Sequence, residues 1–287
     1  MIAIYKKELR SYFSGIMGWL FIAFLLFFSG IFATSICLEQ MSARFEYVIS
    51  NMSIVFLLAV PVLTMRSIAA EKGERTDQLL YSLPIKLSSV VLGKYFSMLT
   101  ILLIATVAMG VYPVIISLYG IIDYTIAYTS LAGFFLLGCA LISICMFFSS
   151  LTESTVIAAV LSFNAVLLLY IMDNAVSLLP TSALGSFICF ICVAVALASL
   201  SYFLTKSRVA ALTIGAIGII PCLIFYIVTP DSFAGAFPAI VEYLSVFKRF
   251  QYFIYGIFDL TAILYFVSFA VFFTFLTVLS LEKKRWN

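Results

Sequence analysis

The chain has 287 residues, 64% of them hydrophobic and 10% charged, with a formal net charge of +3 and no histidine. Soluble globular domains carry roughly 45–50% apolar residues, so this composition excludes an ordinary soluble fold and points to an integral membrane protein. The small positive charge is spread by membrane side rather than gathered in one patch, which argues against a nucleic-acid surface.

In chain order, Ile4, Tyr5, Leu9 and Tyr12 first alternate with Lys6, Lys7, Glu8 and Arg10, the composition of an interfacial amphipathic helix. Eight apolar runs follow, each able to supply the roughly 20 residues that cross a hydrocarbon core about 30 Å thick. They are Ser11 to Leu38, Tyr47 to Met65, Tyr95 to Ile122, Tyr124 to Thr152, Ser154 to Met172, Asn174 to Thr205, Val209 to Pro230 and Leu260 to Leu281. The first is too long for a signal-peptide core of about 7–15 residues and is read as a span. A single helix from Thr129 to Met172 would run about 66 Å at 1.5 Å per residue, so the chain must turn near Thr152-Glu153-Ser154. Asp173, Asn174 and Pro180 mark the next turn, and Lys206-Ser207-Arg208 the one after.

An even number of spans places both termini on one side, and the bias of Lys and Arg toward the cytoplasm chooses that side. With the N-terminus inside, thirteen of the sixteen basic residues are cytoplasmic, and only Arg44, Lys248 and Arg249 fall outside. The expected fold is an all-α polytopic membrane protein of about eight transmembrane helices, one domain over 1–287, with both termini cytoplasmic. It carries a cytoplasmic loop at 66–94 and an extracytoplasmic aromatic segment at 229–259.

Several absences narrow the chemistry. Without histidine there is no His-based acid–base catalysis, and no Gly-x-x-x-x-Gly-Lys-Ser/Thr sequence supplies a phosphate-cradling loop. The six cysteines, including the lone Cys189-Phe-Ile-Cys192, lie in apolar runs and read as packing residues, with no cofactor or metal held by this chain. The span interiors lack Asp, Glu, Lys and Arg, which an ion-coupled carrier would place near the midplane at about 2.5–3.5 kcal/mol each. Asn164, the most polar side chain within a span, reads as interhelical glue. Energy for transport would have to come from outside the chain.

The loop between the second and third runs, MRSIAAEKGERTDQLLYSLPIKLSSVVLGK, holds five Lys and Arg residues with Glu71, Glu74 and Asp77. Thr76 or Asp77 would cap a short helix whose Leu79, Leu80 and Leu83 form an apolar stripe and which Pro84 ends. Ala70-Glu71-Lys72 through Thr76, Leu79-Leu80, Pro84-Ile85 and Leu92-Gly93-Lys94 resemble, in order and spacing, the type-2 ABC transporter permeases (the ABC-2 membrane family). In two places the pattern departs: the family's Gly before the Thr is Arg75, and its Glu two residues after is Gln78. The opening IYKKELRSYF and the closing segment from Val246 to Trp286 resemble the gliding-motility-associated branch. Such permeases commonly have six spans, so eight implies an added pair before the last.

The resemblance implies a non-enzymatic permease subunit, working as a dimer with a second copy or a sister permease in a bacterial cytoplasmic membrane. ATP and Mg would be bound by separate cytoplasmic ABC ATPase subunits. Glu71, Thr76, Asp77, Gln78, Leu79, Leu80, Leu83 and Pro84 would contact that ATPase, joined by Glu153 in the turn between the fourth and fifth spans and by the N-terminal helix. A neighbouring subunit with a large extracytoplasmic part is also implied. Outside the membrane, Ile240, Leu244 and Phe247 have the spacing of one helical face and would form an exit gate or a passive aromatic belt. Alternatives are a scaffold that transmits force or signal without cargo, and a secondary carrier, which the missing intramembrane charges disfavour.

Overall fold

The computed structural model describes residues 1–39, 41–76, 86–175, 180, 182–205 and 235–286, and among them every regular element is helical. The chain divides into two compact units, Met1–Tyr170 with Val246–Asn287, and Ile171–Ser245.

In the larger unit the amphipathic N-terminal stretch forms α1 (Ile2–Ser14), which stops at an extended Gly15 before α2 (Ile16–Ala33) begins. A π-helical turn, Thr34–Glu39, extends α2. There follow α3 (Phe45–Thr64), the short α4 (Ala69–Gly73), α5 (Leu87–Met109) running on through Gly110 into α6 (Val111–Ile116), α7 (Tyr124–Leu151) and α8 (Thr155–Ala175). After the smaller unit come α11 (Val246–Ile254) and α12 (Leu260–Trp286). The smaller unit holds α9 (Ala183–Thr205) and α10 (Ala236–Leu244), joined by an edge-on contact of Phe190 with Phe237 at 5.0 Å between ring centroids.

Six helical stretches are long and apolar enough to cross a membrane: Ile16–Glu39, Phe45–Gly73, Leu87–Ile116, Tyr124–Leu151, Thr155–Asp173 and Leu260–Lys283. Each overlaps one of the eight expected runs, although the second continues to Gly73 and the third begins at Leu87, both inside the loop expected at 66–94. Of the other two, the run from Asn174 contains α9, and the run from Val209 to Pro230 lies outside the described residues.

Helices in lipid gain little from hiding apolar surface and associate through close packing and interhelical hydrogen bonds. The axis of the larger unit is α7, 72% of whose span is buried, against 17% for α8. On α7, Phe134 stacks against Phe56 of α3 with centroids 4.2 Å apart. The Tyr95 hydroxyl of α5 donates to Cys139 O at 3.0 Å, and Ser162 Oγ of α8 donates to Cys145 O at 3.3 Å. Asn164, the residue expected as glue, is exposed and donates to Val160 O of its own helix at 2.8 Å. The small hydroxyl of Ser162 makes the cross-helix bond because it sits on the buried face of α8, two residues from Asn164 on the outer one.

Candidate functional site

The functional side chains gather where α3 ends, at the same end of the bundle as the close of α7. After the turn at Met65–Ser67 the chain starts α4, whose first backbone donors have no partner within the helix. Ser149, in the last turn of α7, supplies one: its Oγ accepts from Ile68 N at 3.4 Å and Ala69 N at 3.1 Å and donates to Met65 O at 3.3 Å. At the other end of α4, Thr76 N donates to Glu71 O at 3.0 Å and Arg75 N to Lys72 O at 3.2 Å. That pair of bonds is a Schellman closure, which needs a left-handed residue before the last donor. Arg75 fills it at φ +56°, so the turn expected of the family's glycine is kept with a side chain in its place.

Lys94, near the start of α5, is the centre of the site. Its Nζ donates to Ser67 O at 2.7 Å, to Glu71 Oε1 at 2.8 Å and to Glu8 Oε1 at 3.1 Å. An ammonium has three donors and no acceptor, and here each donor has its own oxygen. The Lys94 side chain is 4% exposed, against 14% for Glu8 and 24% for Glu71, so the cation lies deeper than either anion. One residue thereby ties α1, the α3–α4 turn, α4 and α5 together. Gly93 beside it lets α1 approach: a Cβ there would lie 3.0 Å from Ile4 Cγ2 and 3.3 Å from Met1 O. Tyr5 Oη and Thr100 Oγ1 add a bond of 2.9 Å along the same contact. Burial, and then the carboxylates of Glu8 and Glu71, push the Tyr12 hydroxyl above the usual tyrosine range.

The opposite face of α4 rests on the α7–α8 turn. Lys72 is buried and donates to Ser150 O in the last turn of α7, where a cation also favours the negative end of the helix dipole. Gly73 touches the turn itself, since a Cβ there would lie 2.7 Å from Glu153 O. Three segments far apart in sequence, α1, the chain from 65 to 76 and the α7–α8 turn, thus form one continuous surface.

A family model described as ABC-2 family transporter protein matches residues 2–188, about two thirds of the chain, and spans all three segments. The chain belongs to this family. It is the membrane-embedded permease component of an ABC transporter, and such permeases generally work with ATP-binding partner subunits. No curated protein and no solved structure matches it.

Of the expected contact residues of this ABC-2 permease, Glu71 and Glu153 lie on that surface, Glu71 held by Lys94 and Glu153 meeting Gly73 through its backbone. Thr76 donates both its backbone N–H and its hydroxyl to Glu71 O. Asp77, Gln78, Leu79, Leu80, Leu83 and Pro84 lie outside the described residues. The three gate residues fall on two helices, because extended Ser245 separates α10 from α11. Ile240 and Leu244 are exposed on α10, whereas Phe247 is buried on α11 and stands edge-on to Tyr170 at 5.3 Å.

Sequence reasoning missed the roles of Glu8, Lys72, Gly73, Lys94 and Ser149. Lys94 carried a usable signal, a lone cation about two turns inside an apolar helix. Ser149 carried none, since serine is ordinary within a span. Among the described residues, no group of three or more potential metal ligands occurs.

Proposed function

We propose that this chain is the permease of an ATP-driven exporter, a single domain over 1–287 of the gliding-motility-associated branch, dimeric and placed in a bacterial cytoplasmic membrane with both termini inside. The spans would number eight, the added pair coming from the region between Ala183 and Val228. A separate cytoplasmic ATPase binds and hydrolyses ATP with Mg, and this chain turns its closure into movement of the spans. The observation that carries the reading is the Lys94 junction. The loop that would carry the ATPase contact through Thr76 to Pro84 is rooted in it at Glu71 and braced on the turn of Glu153, so force on the loop reaches α1, α3, α5 and α7 together.

Closure of the ATPase favours one arrangement of the spans only by as much as it binds that arrangement better. Two copies, or one copy and a sister permease, would line the path, and a further subunit would supply an extracytoplasmic part. Ile240, Leu244 and Phe247 remain a proposed exit region. An uncharged pathway suits lipids, amphiphilic peptides and hydrophobic drugs.

The test is co-purification in mild detergent with the candidate ATPase, comparing wild type with Leu79→Asp/Leu80→Asp. An ATPase that accompanies the wild type and is released by the double variant, with the spans still inserted, is the expected result. Retained binding with unchanged stimulation of ATP hydrolysis would place the contact elsewhere. ATP-dependent cargo movement in vesicles separates an exporter from a scaffold.

A further inference from the structure

Two cavities meet end to end along α2 and α3. The first, about 270 Å3, is almost wholly apolar and is lined by Leu20, Phe21, Phe24, Leu58, Ala59 and Val62 among others. The second, about 330 Å3, lies at the α1 end and is polar, with Glu8, Tyr12, Arg66 and Ser67 on its wall. Met17, Val62 and Leu63 line both, so the two adjoin. Each alone is at or just below the small end of ligand sites, about 300–1,000 Å3. Together they have the form of an amphiphile, an apolar trough with a polar head.

The polar end holds two unused groups. Ser67 is 4% exposed, yet its hydroxyl has no hydrogen-bond partner among the described residues. A buried hydroxyl left unpaired costs about 1–3 kcal/mol, so this one calls for a partner. The exposed guanidinium of Arg66 has no ion pair among the described residues, and its planar fork matches a phosphate. Glu8, on the same wall, shares Lys94 with Glu71, so that cluster keeps one net negative charge and Arg66 is the cation on this wall that faces a phosphate. Arg66 follows α3 by two residues, where a basic side chain at the end of a span would meet lipid headgroups, and the trough runs from it along α2 and α3.

We infer that this crevice seats one phospholipid, its phosphodiester on Arg66 and Ser67 and one acyl chain in the trough between α2 and α3. Either phosphatidylethanolamine or phosphatidylglycerol supplies that chemistry. The seat takes only the first two residues of the 66–94 loop, Arg66 and Ser67, and none of the residues from Glu71 to Pro84 proposed for ATPase contact. It would wedge the elbow between α1 and α2 against the end of α3.

The test measures phospholipid retained per chain by mass spectrometry after extensive washing in detergent, for wild type, Arg66→Gln and Val62→Trp. The first variant removes the charge and the second fills the trough; thermal unfolding reports whether each is folded. About one phospholipid per wild-type chain is expected. Loss of one charged hydrogen bond would lower the affinity of Arg66→Gln about tenfold or more, and Val62→Trp, which fills the stretch where the two cavities adjoin while keeping Arg66 and Ser67, would lower it comparably. Added phosphatidylethanolamine or phosphatidylglycerol should displace the retained lipid, and inorganic phosphate should not. No retained lipid in the wild type, equal retention in both folded variants, or displacement by inorganic phosphate alone would each overturn the inference. If one variant does not fold, the other and the phosphate competition still decide it.

Discussion

Replacing Lys94 with methionine keeps most of the side-chain volume and removes all three donors. The two carboxylates of Glu8 and Glu71 would then face each other around an apolar tip, with Ser67 O unpaired. Breaking a buried ion pair by removing one partner costs about 3–5 kcal/mol. Because Glu71 is 24% exposed, water can reach part of the cluster and the lower end applies. With about 2–4 °C of melting temperature per kcal/mol in chains of 150–250 residues, the expected drop is roughly 6–12 °C. Thermal unfolding in detergent, followed by the fluorescence of the two tryptophans, Trp19 and Trp286, reads it. The double variant Lys94→Met/Glu71→Gln should recover part of the loss, since it removes one stranded anion; coupling of about 1 kcal/mol or more is expected. Lys94→Arg should not restore the wild-type value, because a planar fork cannot converge on three oxygens from three segments. A drop under about 2 °C for Lys94→Met, or strict additivity in the double variant, would refute the junction.

Arg75→Gly should stabilise the α4 turn: a left-handed residue with a side chain costs about 1–2 kcal/mol and glycine adds back about 0.5–1 kcal/mol of chain entropy. The expected net gain is a few tenths to about 1 kcal/mol, and a destabilised variant would mean that the Arg75 side chain makes a bond of its own. Gly73→Ala should cost about 1–3 kcal/mol, because its Cβ meets a backbone oxygen that cannot rotate away; an unchanged melting temperature would show that the two turns are not in contact. Asp259 precedes α12, where bonds from the hydroxyl and then the N–H of Thr261 hold its carboxyl below the usual range. A depressed folded value means that its contribution is present at neutral pH and is lost as pH falls through that value. Asp259→Asn should therefore flatten the acid side of the stability profile, and an identical acid limb in both proteins would count against this capping role.

The spans were legible because their signal is length and lack of charge, which survives any arrangement of helices. The amphipathic α1 was legible for a related reason, its charges alternating with apolar residues before the first span. The junction was not. Glu8 and Lys94 lie 86 residues apart, and in a linear reading each belongs to a segment whose charges look solvated. Glu71 was singled out as a contact residue, while its inward partner could not be seen from spacing. Arg75 shows the reverse case: a departure from the family's residue left the family's turn standing, because the backbone bonds that close α4 come from Thr76 and Arg75 main-chain groups. The gate residues shared a spacing but not a helix, since one extended residue, Ser245, resets the periodicity.

The approach of Gly73 to the carbonyl of Glu153 leaves no room for even a methyl group between the two turns. A protein docking there would meet a single footprint drawn from opposite ends of an eighty-residue stretch. Natural variants in either turn would then change recognition in the same way, and a compensating change could arise in the other without any contact of its own with the first.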